Sequence, residues 1–164
     1  MGRRLKFHSP ATAPIWGAIG HRRWPPGEQH QGRRRPPKYI FGYMAAQDIN
    51  DRTLQDSEPQ WTRCRSFDTF TPLGPFIETK IEPHSLKIQL YQNGQLRQNS
   101  NTSQLLFNCF ELVSFISTRL TLLPGDIILT GTPSGVGPIQ SGDRLEVRIQ
   151  GFASLVNPVK ASDA

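Results

Sequence analysis

Cysteine is scarce in this sequence. Cys64 and Cys109 are the only two in 164 residues, and they form no Cys-x-x-Cys pair. That excludes a disulfide framework and predicts free thiols in a reducing compartment, read as the cytoplasm. No apolar run approaches the ~20 residues needed to cross a bilayer as a helix, so a membrane is not expected as a partner. Acidic residues are nearly missing from the front. Residues 1–38 hold nine Lys/Arg against one acid, Glu28, a balance of +8. Residues 39–164 hold ten against twelve, a balance of −2. The net charge of +6 therefore describes a basic front on a mildly acidic body.

Periodicity is also lacking in residues 1–38, which carry six of the fourteen prolines, including Pro25-Pro26 and Pro36-Pro37. No window there sustains a helical or an alternating pattern. Three readings compete. A basic arm could bind nucleic acid through Arg33-Arg34-Arg35, with Trp16 and Trp24 stacking on bases. An organelle transit peptide fits the arginine content, but the paired prolines break the amphipathic helix it needs. A frame-shifted, mis-started or replaced terminus gives the same Arg/Pro/Gly/Trp mixture. The expected organisation is an unstructured segment over 1–38 and a folded domain over 39–160.

What is there begins at Tyr39. Tyr39-Ile40-Phe41-Gly42-Tyr43-Met44-Ala45-Ala46 has strand character and delivers Asp48 just past its end. Asp48, Asp51, Arg52 and Gln55 are spaced by three or four, so one helical turn could gather several of them. They could bind a metal and a carboxylate ligand, or form a solvated short helix. Trp61 to Pro75 carries Arg63 and Arg65 two apart, which predicts one shared face on an extended chain. Asp68 sits between Phe67 and Phe70, and Pro72-Leu73-Gly74-Pro75 is too stiff for a helix. The segment reads either as a carrier of polar groups into a buried place or as a strand and turn with a surface ion pair.

Leu86-Lys87-Ile88-Gln89-Leu90-Tyr91 alternates and runs into Asn93-Gly94, a strong hairpin signal. Asn101-Thr102-Ser103 offers caps for a helix over 104–120, with Leu105, Leu106, Cys109, Phe110, Val113, Ile116 and Leu120 as its buried stripe. Cys109 is read as packing. Ile127 to Thr130 reads as a short apolar strand entering Gly131-Thr132-Pro133-Ser134-Gly135-Val136-Gly137, a rigid loop able to approach a ligand. A phosphate-binding loop is excluded because the Lys-Ser/Thr ending is missing. Leu145 to Ile149 is an alternating strand, and Ser154 to Pro158 is its expected partner. The body is α+β and mostly β.

In this order, Phe41-Gly42-Tyr43, Gln47-Asp48, Arg52-Thr53-Leu54-Gln55, Ser66-Phe67-Asp68-Thr69-Phe70, Pro72-Leu73-Gly74-Pro75, Asn93-Gly94, Pro124-Gly125-Asp126, Gly131 to Gly137, Gly142-Asp143 and Asn157-Pro158 resemble the fumarylacetoacetate hydrolase family, its acylpyruvase-like branch above all. The resemblance covers residues 39–158. It implies a mixed β-sandwich roll, incomplete here at the N-terminus, and a homodimer. It implies Mg²⁺ or Mn²⁺ and a small 2-oxo or diketo acid as substrate. The implied activity is hydrolysis, decarboxylation or isomerisation at a C–C bond through an enolate, with the metal as Lewis acid. By the same resemblance Asp48 is the metal ligand. Arg52 and Gln55 hold the substrate carboxylate, with Gly131 and Thr132 binding from the glycine loop. Thr132 and Arg65 take the catalytic positions.

Two departures stand out. Cys64-Arg65 replaces the family's Gly-Lys, exchanging a compact ammonium for a planar guanidinium that keeps its proton. The Glu-x-Glu metal pair expected upstream of Phe41 is missing, leaving Glu28 alone. These departures set a second reading beside the enzyme: a catalytically silent family member that keeps fold and dimer surface. Nucleic acid is not expected as a partner under either.

Overall fold

The computed structural model describes the backbone of Phe7–Ala11 and residues 39–161. The elements are β1 (Phe7–Ala11), β2 (Asp48–Asp51), α1 (Arg52–Ser57), α2 (Thr62–Arg65), β3 (Lys87–Gln92), β4 (Gln95–Asn101), α3 (Cys109–Ser117), β5 (Arg144–Ile149) and β6 (Leu155–Pro158). All described ladders are antiparallel. A four-stranded sheet has the order β4-β3-β5-β6, and β1 pairs with β2. The fold is sheet-dominated α+β, as expected. The unstructured reading of 1–38 falls mostly outside the described residues. Within it, β1 pairs Phe7 with Asp51 and His8 with Asn50.

The predicted hairpin and the β5–β6 pair form as read. Asn93 has φ 53 and Gly94 φ 78, the left-handed pair that a two-residue hairpin of matching twist needs. Alternation puts Ile88 and Leu90 of β3 against Leu145, Val147 and Ile149 of β5 on one face, and these side chains make the core with Leu86 and Leu155. Asp143 ties the hairpin to the start of β5. Its carboxylate accepts from Gln92 Nε2 and Asn93 Nδ2, each at 2.7 Å, and from the Gln140 N–H at 2.8 Å. Burial pushes this carboxyl up, but those donors hold it below its usual range. Gly142-Asp143 and Asn93-Gly94 are thus structural motifs.

Four expectations change. The 39–46 run forms isolated bridges, Tyr43 to Glu78 and Ala46 to Leu73, and the strand proper begins at Asp48. Ile127 to Thr130 joins no strand among the described residues. Its apolar side chains ask for burial, but a ladder needs a free edge, and only long-range packing provides one. The helix is shorter than 104–120. Leu86 N–H donates to Thr102 Oγ1 and Thr102 N–H to the Leu86 carbonyl, so the chain leaves β4 through a 3₁₀ turn at Thr102–Gln104. Helix α3 starts after Asn108, whose side chain and that of Glu111 form a capping box. Leu106 is consequently 93% exposed and Leu120 65% exposed, outside the stripe that Cys109 and Val113 bury. Finally, Thr62–Arg65 is a helical turn, so Arg63 and Arg65 diverge instead of sharing a face.

Both cysteines are free and buried. Cys109 Sγ lies 3.2 Å from His84 Nε2 and 3.8 Å from Tyr43 Oη, while Glu82 Oε1 meets His84 Nδ1 at 2.9 Å. Burial pushes the Cys109 thiol up to about 11, so it stays protonated and unreactive at neutral pH. The reading of Cys109 as packing fits this position.

Three outcomes follow. Leu145, fully buried on β5, should cost ~2–5 kcal/mol on Leu145→Ala, measured by denaturant unfolding. Thiol titration at pH 8 should find both cysteines silent in the native protein and two reactive equivalents after unfolding. Glu146 is flanked by Arg148 Nε at 2.6 Å and Arg144 Nη1 at 2.9 Å, and these hydrogen bonds pull its carboxyl down to about 2 from 4.5. A depressed folded-state pKa adds stability above the unfolded value. That stability should fade as pH falls from about 4.5 to about 2. Chemical melts of Glu146→Gln should show a flatter acid limb than the wild type.

Candidate functional site

Strand β2 and helix α1 meet at a single junction, and most expected site residues lie there. Asp51 ends the strand and caps the helix, its Oδ1 accepting from Thr53 N–H at 2.8 Å and Leu54 N–H at 3.3 Å. The cap turns the chain so that Arg52 and Gln55 follow one helical turn apart. Arg52 Nη1 donates to Gln55 Oε1 at 3.0 Å, which fixes both side chains and leaves the Gln55 amide nitrogen and the other guanidinium N–H groups to bind a carboxylate.

Asp48 opens the same strand. Its side chain is 9% exposed, and Arg65 Nη1 donates to its Oδ2 at 2.5 Å. Burial pushes the Asp48 carboxyl above its usual range, and the Arg65 guanidinium pulls the other way. Arg65 comes from α2, which Cys64 anchors: that thiol is fully buried and donates to the Trp61 carbonyl at 3.0 Å. The guanidinium carbon also lies 5.6 Å from the centre of the Trp61 ring. Trp61 to Pro75 therefore carries a charge, Arg65, onto the buried Asp48 carboxylate, while the guanidinium's own side chain stays 37% exposed. Arg63 pairs instead with Glu58 at the surface.

The exit from this segment is explained by packing. Gly74 N–H donates to the Ala45 carbonyl, and a side chain at Gly74 would crowd Ala45 backbone atoms at 3.0–3.3 Å. Gln47 N–H donates to the Pro72 carbonyl, and Ile49 N–H to that of Phe70. Gln47 is fully buried, and its Oε1 accepts from Asn157 Nδ2 at 2.8 Å, which ties the Asn157-Pro158 motif to β2.

Asn50 is a residue that sequence reasoning missed. It lies two positions from Asp48 and so on the same face of β2. It is 1% exposed, and neither of its amide atoms has a hydrogen-bond partner. Arg65 Nε is likewise buried without one. Buried polar atoms are nearly always satisfied, so Asn50 and Arg65 Nε retain hydrogen-bonding capacity, as do Gln47 Nε2 and the Gln98 amide. The available signal was the polar pair Asp48-x-Asn50 on a strand, which alternation puts on one face.

Gly131 and Thr132 lie on the glycine loop. With Thr130, Pro133, Ser100, Asn101 and their neighbours they line a groove of about 280 Å³. Asp48, Arg52, Gln55 and Arg65 are not among its lining residues. The loop is held by Gly135, at φ +102, where a side chain would drive into the Arg97 carbonyl.

A divalent metal does not fit the described donor set. No three His, Cys, Asp or Glu side chains converge among the described residues. Asp48 is one carboxylate already facing a guanidinium, and Asn50 could add only a neutral oxygen.

Residues 26–160 match the family described as fumarylacetoacetate (FAA) hydrolase C-terminal. An uncharacterized protein of Methanocaldococcus jannaschii is 48% identical over 122 residues, 74% of this chain and 52% of that protein. The chain spans about half the length of such curated relatives. Among solved structures, 2-hydroxyhepta-2,4-diene-1,7-dioate isomerase from Mycobacterium marinum superposes with TM-score 0.85 at 35% identity, over 98% of this chain and 61% of that one. Fumarylpyruvate hydrolase from Pseudomonas aeruginosa, in complex with Mn²⁺ and pyruvate, gives 0.81 at 26% identity, over 99% and 70%. With the motif order, the sheet and the β2–α1 junction in place, the chain belongs to the fumarylacetoacetate hydrolase family.

Proposed function

We propose that this chain acts on small 2-oxo or diketo acids, hydrolysing, decarboxylating or isomerising them at a C–C bond next to a carbonyl through an enolate. The observation that carries the reading is the junction itself: the buried Asp48 carboxylate paired with the half-exposed Arg65 guanidinium, on the strand that delivers the prearranged Arg52–Gln55 pair. Arg52 and Gln55 bind the substrate carboxylate, the guanidinium supplying parallel N–H donors. Arg65 sets a permanent positive charge where negative charge develops on the carbonyl oxygen, and a fixed charge in a partly dry site stabilises it more than water would. Because arginine does not release its proton, Arg65 acts electrostatically and not as a base. Thr132 offers a hydroxyl from the glycine loop.

Support for the wider setting comes from particular residues. Leu106, Phe107, Phe115 and Leu120 lie on or beside α3 and are each more than 60% exposed, which favours a homodimer. Two free thiols suit the cytoplasm. The bridges at Tyr43 and Ala46 suit sheets that close into a mixed β-sandwich roll. The silent-member reading keeps the same fold and surface without turnover.

The test is turnover of acetylpyruvate and of oxaloacetate, followed by ultraviolet absorbance. Arg52→Ala should weaken substrate binding by ~10–100-fold, as expected for a lost charge-assisted hydrogen-bond pair. Absence of turnover with every oxo acid tried, in protein shown to be folded, would leave the silent-member reading standing.

A further inference from the structure

The donor set around Asp48 disagrees with the metal that the family resemblance implies, and the disagreement has a specific cause. The cation beside Asp48 is part of the chain. Arg65 Nη1 reaches Asp48 Oδ2 at 2.5 Å, and the Asp48 side chain is 9% exposed. Helix α2 holds that guanidinium in place from behind. Cys64 is fully buried and bonded to the Trp61 carbonyl, and the Trp61 ring lies 5.6 Å from the Arg65 guanidinium carbon. A hard divalent cation needs carboxylate oxygens free of competing charge. Here one oxygen is taken by a permanent positive charge that does not release its proton.

We propose that Arg65 is the resident cation of the Asp48 site and that it competes with divalent metal for the Asp48 carboxylate. In this chain, metal binds Asp48 only if the guanidinium withdraws. The proposal rests on reading Asp48 as the anionic centre of the oxo-acid site. Its readout, metal binding without substrate, is separate from turnover, so failure of one is distinguishable from failure of the other. Asn50, buried with both amide atoms unpartnered and on the same face of β2, is the neutral oxygen that a metal would find there once Arg65 is removed.

The probe is Mn²⁺ alone, its binding followed by water-proton relaxation, with folding of each protein checked by circular dichroism. Wild type should bind Mn²⁺ weakly, with an affinity that Asp48→Asn leaves unchanged within threefold. Arg65→Gln should bind at least tenfold more tightly, and the gain should vanish in the double variant with Asp48→Asn. Arg65→Lys, which keeps the charge, should stay near wild type. Should Arg65→Gln not fold, Arg65→Met keeps the apolar stem and carries the same expectation. The proposal is overturned if wild-type binding already depends on Asp48, or if folded Arg65→Gln and Arg65→Met gain nothing.

Discussion

Taking the Asp48 carboxylate out of water at the start of a strand is costly unless a cation stands against it, because a lone ion in a medium of low polarisability loses most of its solvation. Arg65 meets that requirement, and much of the local architecture serves the pairing. Helix α2 is a single turn of four residues, too short to be stable alone. It is fixed by the buried Cys64 side chain and by packing on β2. The stretch from Phe70 to Pro75 then runs back along residues 45–49, Gly74 donating to the Ala45 carbonyl and the Pro72 and Phe70 carbonyls accepting from Gln47 and Ile49. The chain on either side of Arg65 is thereby clamped to the strand that carries Asp48.

The second constraint is backbone, not charge. Antiparallel ladders set β3 between β4 and β5, and their alternation decides which side chains enter the core. Loops are then locked to the sheet by buried polar groups. Asp143 gathers Gln92, Asn93 and the Gln140 N–H, Gln47 reaches Asn157, and Gly135 lets the glycine loop close against the Arg97 carbonyl. These residues supply much of the motif order by which the family is recognised. Their roles in this fold are hydrogen bonding and close approach, which explains why a chain can keep the motifs while differing at a charged position such as 65.

Much of this was legible because it is local. Asn93-Gly94 after an alternating run specifies a hairpin through the φ values its turn needs, β3 and β5 fall where alternation places them, and β6 pairs with β5 as expected. Arg52 with Gln55 on one helix face follows from spacing alone. The misreadings share one physical origin. Leu105, Leu106 and Leu120 fit a helical stripe, but Thr102 is bonded back to Leu86 and Asn108 carries the cap, so the helix is shorter than the stripe. Ile127 to Thr130 has strand composition without a strand beside it. Arg63 and Arg65 seemed to share a face only on the assumption of an extended chain.

Residue type, short spacing and motif order were enough for the family, the sheet-forming segments, the free cysteines and the candidacy of Asp48, Arg52, Gln55, Arg65, Gly131 and Thr132. Packing supplied the rest: that Arg65 bonds Asp48 while Arg63 turns to Glu58, that Asn50 is buried on the same strand without a partner, and that Gly131 and Thr132 line a groove whose walls do not include the Asp48 cluster. The reason is range. A pair seventeen residues apart across a strand and a helical turn is created by packing, and a motif can mark Arg65 without naming the carboxylate it will meet.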